Sequence, residues 1–369
     1  MERILALYHL QADSDDIEAR AQALACEQSI EMPLSAVTDA KVRAEVVASV
    51  EGIAQLAPRL FAVQLGIATA TTGGEAGQLM NMLFGNCSLQ EDVSLIDVSF
   101  PEAYLGHFPG PRFGLAGIRQ RVQAPTRPLT MTALKPQGLA AGALAGLAES
   151  FALAGIDIIK DDHGIANQSY APFAARVQAC QAAVRGANAA TGGHSIYAPS
   201  LSGGPRQFAE QRKIVREEGV GMVLLCPLVV GIPVLAELAQ DLDCPILVHP
   251  ALAGAARIAP PLLLGKLFRL FGADATIFPN YGGRFAYSRA TCEAVAANAR
   301  APWGQLPAIA PVPAGGMNID RVAEMIAVYG PDTILLIGGA LLAAGATLPA
   351  RSRAFVAAVA DHLALGSLS

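Results

Sequence analysis

Charge is scarce in this 369-residue chain. Asp, Glu, Lys and Arg make up 15% of it, against roughly a quarter in ordinary soluble domains. A surface with so little charge is expected to lie partly against another subunit. No block of lysine or arginine stands out and the net charge is −5, which argues against a nucleic-acid partner. Six cysteines are present (Cys26, Cys87, Cys180, Cys226, Cys244 and Cys292), but none forms a CxxC pair. They read as reduced, mostly buried thiols of a cytoplasmic protein. Glu2, Arg3 and His9 interrupt the start of the chain, so a signal-peptide pattern is missing. A clean membrane span is missing too. Residues 220–239 are nearly all apolar over a span-like length of about 20 residues, but Pro227, Gly231 and Pro233 punctuate them. A strand, a loop and a helix are expected there. No GxGxxG follows a first strand, which weakens a dinucleotide-binding open sheet.

What is present is apolar mass: 53% of residues are hydrophobic, enough to fill a large core. A prior of roughly 150 residues per domain suggests two domains, divided here as 1–115 and 116–369. The first part lacks a regular strand–helix alternation. Residues 5–10, 61–72 and 93–98 read as strands, and 14–27 as a helix with Ser14 or Asp15 near its cap. This is an α+β (ferredoxin-like) domain. Residues 106–121, rich in Gly and Pro, look like a linker running into a short helix.

From there the pattern is regular. Eight short apolar runs recur at 129–134, 156–159, 195–199, 222–226, 246–248, 275–278, 308–311 and 333–337. Alanine-rich amphipathic stretches such as 139–154, 170–187, 205–218 and 319–329 separate them. Continuous apolar runs mark buried parallel strands, and eight β/α units in about 240 residues predict a (β/α)8 barrel.

Reactive groups of such barrels sit at the C-terminal ends of the strands. Lys135 ends the first run, Lys160, Asp161, Asp162 and His163 the second, and His249 the fifth. Asn280 follows the sixth, with Arg284 beyond it. Gly315-Gly316 and Gly338-Gly339 follow the seventh and eighth, where phosphate sites of this fold lie and where glycine lets backbone N–H groups approach an anion. Strand alternation points Lys160 and Asp162 the same way. Carboxylate and imidazole there suit a divalent ion such as Mg²⁺; the bland alternative is a Lys/Asp ion pair in a loop. His249 suits acid/base work or a simple loop hydrogen bond. Lys135 suits an anion or enolate partner, or it snorkels to solvent.

These residues carry a resemblance. Gly155-Ile-Asp157-Ile-Ile-Lys160-Asp161-Asp162-His163 resembles the metal-binding segment of the RuBisCO superfamily, Gly-x-Asp-x-x-Lys-Asp-Asp-Glu. Thr132-Ala-Leu-Lys135-Pro136 resembles its first-strand lysine motif. Glu27-Gln28-Ser29, Gly85-Asn86, Ala314-Gly315-Gly316 and Gly338-Gly339 fall in the family's order. Phe108-Pro-Gly110-Pro111-Arg-Phe-Gly114 with Gly117-Ile118-Arg119 looks like the RuBisCO-like proteins in particular.

The resemblance implies a homodimer with a composite site, completed by Glu27 and Asn86 of the other subunit's N-terminal domain. It implies a carbamylated Lys160 that binds Mg²⁺ with Asp162 and His163. It places Lys135 and His249 at a sugar-phosphate substrate and the glycine pairs at its phosphate, with Arg284 also assigned to substrate. Departures from the carboxylases are equally informative. His163 replaces glutamate, Gln137 stands where their second lysine does, and the loop at 280–285 has no lysine; no carbon dioxide fixation is expected. The family's 2,3-diketo-5-methylthiopentyl-1-phosphate enolase has a base lysine where this chain has Asn86. The branch favoured is therefore the one that isomerises 5-methylthioribulose 1-phosphate to 1-methylthioxylulose 5-phosphate. A decarboxylase or carbon–carbon lyase acting on a keto-acid sugar phosphate, and a non-catalytic sugar-phosphate binder, are the other classes left open.

Overall fold

The computed structural model describes residues 2–285 and 287–366, with side chains as far as 361. Its first sheet has four antiparallel strands, β1 (Arg3–Gln11), β2 (Ser49–Ala57), β3 (Leu60–Ala68) and β4 (Val93–Ser99), in the order β2-β3-β1-β4. A helix, Ile17–Glu27, leads from β1 towards β2, and another, Ala76–Phe84, from β3 to β4. This is the ferredoxin-like β-α-β-β-α-β arrangement. Ile4, Ala6, Tyr8 and Leu10 of β1 are fully buried and alternate with more exposed residues, as a strand with one face on a core must. β2 is not among the strands the pattern predicts. It is a sheet edge exposed along most of its length, so no apolar alternation marks it. The helix at 17 has its N-cap at Asp16, next to Ser14 and Asp15 as expected, and the Asp16 side chain makes no capping bond. The strand expected to reach residue 72 stops at Ala68 and gives way to a 3₁₀ turn, Thr69–Thr72.

Eight parallel strands follow: β5 (Leu129–Leu134), β6 (Ile158–Asp161), β7 (Ile196–Ala198), β8 (Val223–Leu225), β9 (Ile246–Val248), β10 (Ala275–Pro279), β11 (Ala310–Ala314) and β12 (Ile334–Leu336). Every expected run contributes one. They form two ladders, β12-β5-β6-β7 and β8-β9-β10-β11. The first seam between the ladders is a single bridge between Ser200 and Leu224. The second has a chemical cause. Ala310 donates its N–H to Asp274 on the β10 side, so by strand alternation Pro311 and Pro313 occupy positions whose N–H would face β12. Proline has no N–H to give. The Thr333 hydroxyl donates to Pro311 O instead, at 3.0 Å, and the ring of eight is complete.

The barrel interior is filled by Met131, Ile158, Ala198, Leu224, Leu247, Ile277, Val312 and Ile334, packed with Leu115, Ile118 and Val122 of the helix Gly114–Val122. That helix plugs the end where the strands begin. Its first N–H groups, with that of Ile246, are gathered by the buried Asp274 carboxylate: Phe113 at 2.8 Å, Gly114 at 2.6 Å and Ile246 at 2.8 Å. At the same end Asp157 accepts from Thr130 N at 2.7 Å and pairs with Arg127 at 2.5 Å.

The sheet and the barrel are sewn together beside β9. Leu95 of β4 donates to Arg257 O at 2.9 Å and accepts from Ala259 N at 2.8 Å, so the segment after β9 covers the free edge of β4. Arg257 also donates to Val93 O at 3.0 Å and Gln90 O at 2.8 Å, and Lys266 pairs with Asp97 at 2.6 Å. Among the described residues no helix is long and apolar enough to cross a membrane. The apolar run at 220–239 is β8 followed by two helices, Pro227–Val230 and Ile232–Asp241.

Candidate active site

The end of β6 separates its acids by alternation. Asp161 points away from the mouth and is wholly enclosed, accepting from Arg176 Nε at 3.0 Å, Tyr197 OH at 2.7 Å and Ser200 N at 3.0 Å. Lys160 and Asp162 face the other way, as expected. Lys160 is 3% exposed, and its ammonium donates to Asp161 O at 2.8 Å. Burial brings its pKa down to about 8; Asp162 opposes the shift and Lys135 adds to it.

Lys135, just past β5, reaches across to Asp162 Oδ1 at 2.7 Å, and His163 Nδ1 stands 3.5 Å from the same oxygen. Burial works against a charged Asp162, but hydrogen bonds from His163 and Lys135 and the charge of Lys160 win. They hold its carboxyl well below the usual carboxylate range. The imidazoles of His163 and His249 stack with centroids 4.0 Å apart and planes 7° from parallel. Burial, then the charges of Lys160 and His163, depress the His249 pKa to about 2, so His249 is neutral. Its backbone N–H donates to Leu225 O at 2.8 Å, and Ala251 N–H donates to its Nδ1 at 3.1 Å.

Five of the expected residues, Lys135, Lys160, Asp162, His163 and His249, thus form one cluster at the C-terminal mouth. The glycine turns border it unequally. A Cβ added to Gly338 would lie 4.0 Å from Lys135 Cε, so the turn after β12 adjoins the cluster and Gly339 opens the short helix beyond. Gly315 and Gly316 are both left-handed, at φ +81° and +66°, and a Cβ on Gly316 would come 2.5 Å from Gly283 Cα. Only glycine permits that approach of the loops after β10 and β11. Arg284 is exposed, with its guanidinium 5.0 Å from the Phe285 ring. Asn86 is exposed on the N-terminal sheet side, where its amide donates to Glu27 at 3.1 Å and to Glu31. Among the described residues no hydrogen bond or ion pair joins Glu27, Asn86 or Arg284 to the cluster.

Two features were not singled out from the sequence. Cys226 follows β8 and lies within electrostatic reach of Lys160 and Asp162, with burial pushing its thiol up to about 11; it is a protonated wall of the site, not a nucleophile. The rule that found Lys160, reading the residue that ends each apolar run, also points to it. The Asp161–Arg176–Tyr197 network needs partners from distant parts of the chain and carries no local signal.

Among the described residues no three His, Cys, Asp or Glu side chains converge on one point. Asp162 and His163 supply two donor atoms 3.5 Å apart, near the about 3 Å between neighbouring ligands of an octahedral ion with bonds of 2.0–2.1 Å. Lys160 can add an oxygen only if its amine carries a carboxyl group. With that addition the donors fit a hard divalent cation; without it, Lys135 already neutralises Asp162.

The catalytic domain of the ribulose bisphosphate carboxylase large chain matches residues 114–360. Ribulose bisphosphate carboxylase-like protein 1 of Rhodopseudomonas palustris is 53% identical over 362 residues, covering 98% of each chain. The 5-methylthioribulose-1-phosphate isomerase of Rhodospirillum rubrum is 52% identical over 367 residues, covering 99% of this chain and 98% of that one. The crystal structure of a Rubisco-like protein from Rhodopseudomonas palustris superposes with a TM-score of 0.92 at 50% identity, covering 98% of both chains. With a plugged eight-stranded barrel behind a ferredoxin-like sheet and a Lys-Asp-Asp strand end at its mouth, the chain belongs to the RuBisCO large-chain family as a RuBisCO-like protein.

Proposed function

We propose that this protein is an isomerase that converts 5-methylthioribulose 1-phosphate to 1-methylthioxylulose 5-phosphate, a step of methylthioadenosine and methionine salvage, in the cytoplasm and as a homodimer. The observation that carries the proposal is the buried Lys160 beside the Lys135–Asp162 pair, in a chain 52% identical end to end to a protein bearing that isomerase's name. Asn86, in place of the enolase lysine, is consistent with the choice of branch.

The chemistry asked of the site follows from the two compounds. The carbonyl begins beside the phosphate-bearing carbon and ends beside the methylthio-bearing carbon, two positions along. Two successive enolisations accomplish that, each removing one carbon-bound proton and returning one to a neighbouring carbon. Mg²⁺, held by Asp162, His163 and Lys160 as its carbamate, would supply Lewis acidity that makes the carbon acid stronger. Lys160 removes the proton, since burial favours its uncharged form and any acquired carbamate is itself a base. Lys135 sets its ammonium where negative charge grows on oxygen. The N–H groups of Gly315, Gly316, Gly338 and Gly339 hold the phosphate, so binding energy remote from the reacting carbons fixes their position. Asn86 and Glu27 reach the partner's substrate, and Arg284 closes over it.

The test is incubation with 5-methylthioribulose 1-phosphate in heavy water, followed by NMR. Product with deuterium on the former carbonyl carbon and on the one carbon between it and the new carbonyl is expected, and Lys160→Ala should abolish both turnover and exchange. Absence of product and of exchange in the unaltered protein sinks the assignment.

A further inference from the structure

We propose that Arg321, braced by Glu324 and Tyr281, is a positioning residue that shapes the turn after β11 into a phosphate cradle, with the N–H groups of Gly316 and Met317 as its donors. The proposal deepens the isomerase reading and rests on it for placing the phosphate of a sugar phosphate at this turn.

The argument begins with the carbonyls of the turn. Gly315 and Gly316 are consecutive left-handed residues. Gly315 O lies against the loop after β10, 2.9 Å from where a Cβ on Gly283 would stand. Gly316 O accepts from Arg321 Nη1 at 3.4 Å. In a trans peptide the C=O and the N–H point opposite ways. The N–H groups of Gly316 and Met317 therefore face away from that loop and from Arg321. Neither donates to an acceptor among the described residues. Met317 is 5% exposed, and an unpaired backbone donor so deep is costly. Successive N–H groups of a turn make a concavity for an anion, and a phosphate oxygen would supply the missing acceptor.

The guanidinium is not itself the phosphate ligand, because its N–H groups are turned to the protein. Arg321 Nε and Nη2 grip the two oxygens of Glu324, at 2.9 and 3.2 Å. Nη1 donates to Tyr281 O at 3.1 Å as well as to Gly316 O. The Tyr281 hydroxyl closes the circuit by donating to Glu324 at 2.6 Å, and its ring centroid lies 5.1 Å from the guanidinium carbon. One side chain thus joins the loop after β10, the turn after β11 and the helix Val322–Tyr329. Asn280 adds a second tie, donating through Nδ2 to Met317 Sδ at 3.2 Å and through its N–H to Ala314 O at 2.8 Å. The turn is held in shape before any ligand arrives. A planar fork is what the arrangement needs; lysine could pair with Glu324 but could not hold two carbonyls and a carboxylate in one plane.

The test uses Arg321→Ala and Arg321→Lys in the full chain. Inorganic phosphate is the probe, read by ³¹P line broadening, with substrate kinetics beside it. Both variants should bind phosphate about tenfold more weakly than the parent. KM should rise by a similar factor, with kcat changed by less than about threefold. The melting point should stay within about 2 °C, because the Arg321–Glu324 pair is partly exposed. If the arginine variants melt early, Tyr281→Phe carries the test. It removes one bond of the brace and no charge, and should weaken phosphate binding about threefold; no change overturns the proposal. Unchanged phosphate affinity in Arg321→Ala overturns it even where isomerisation is observed. Affinity restored by lysine assigns the effect to charge alone and overturns it too, as does a parent that binds no phosphate. A parent that fails to isomerise, yet binds phosphate in a manner that depends on Arg321, supports the proposal while the isomerase reading falls.

Discussion

The two ends of the barrel use the same side chains for opposite purposes. Where the strands begin, Asp274 gathers three backbone N–H groups and Asp157 an arginine and a threonine. Where they end, Asp162 is shared by Lys135 and His163 beside a buried Lys160. Burial lifts the Asp274 carboxyl above its ordinary value despite its backbone donors. Asp162 is buried too, yet cationic neighbours hold it low. The contrast shows what separates a structural acid from a reactive one. The first is satisfied by groups that cannot leave, the second by charges that a substrate can compete for. Asp161 and Asp162 repeat the contrast one residue apart, because strand alternation sends them to opposite sides of the wall.

The largest effect expected at the mouth is that of Lys160→Met. It should lower kcat/KM by about a thousandfold or more, because proton transfer loses its base. The melting temperature should hold or rise, because a buried ammonium has been replaced by an apolar chain of similar length. Steady-state kinetics and a thermal melt on one preparation check both halves. A variant that melts early would move Lys160 into the structural class.

Asp161→Asn and Asp162→Asn then sharpen the comparison at its narrowest point. Asp161→Asn leaves the fully enclosed Arg176 without its counter-charge, a loss of about 3 kcal/mol or more. It should appear as a melting point lower by several degrees, with kcat per folded molecule nearly kept. Asp162→Asn should do the reverse, a small stability change with activity down about a hundredfold. If the two variants behaved alike, orientation would not be what assigns their roles.

How much of this could be read from the chain depends on how local the signal is. All eight barrel strands were legible because they are buried on both faces and so read as unbroken apolar runs, as β5 does with all six residues buried. β2 was not, because an exposed edge has no burial to write into the sequence. In the site, Lys135, Lys160, Asp162, His163 and His249 were legible because each ends a strand, and strand ends meet in a barrel. Arg176 was not, since its tie to Asp161 is made by the helix packing over β6 and leaves no pattern of spacing. Glu27 and Asn86 came from resemblance to a family; within one chain they pair with each other.

A smaller effect tests the glycine turns. At Gly339 an added Cβ meets nothing within 4 Å and the backbone is not left-handed, and alanine favours the helix that begins there. Gly339→Ala should therefore leave stability unchanged or slightly improved. If its N–H approaches phosphate closely, KM should still rise about threefold to tenfold while kcat changes less. An unchanged KM would confine phosphate binding to the other glycines.

The smallest effect belongs to a pair at neither end, Arg20 of the helix Ile17–Glu27 and Asp92 just before β4, 2.8 Å apart and partly exposed. The hydrogen bond from Arg20 lowers the Asp92 pKa below its ordinary 3.8. A carboxyl depressed in the folded state binds protons more readily when unfolded, so it stabilises the fold above 3.8 and loses that contribution as pH falls through its folded value. Solvent screening keeps the contribution small, about 0.5 kcal/mol. Melts of the parent protein and Asp92→Asn should differ by about a degree at pH 7 and converge once the pH has fallen below the lowered Asp92 value. A gap that persisted in acid would mean the carboxylate acts through packing, as the acids at the base of the barrel do through their enclosed donors, and not through a charge that water can screen.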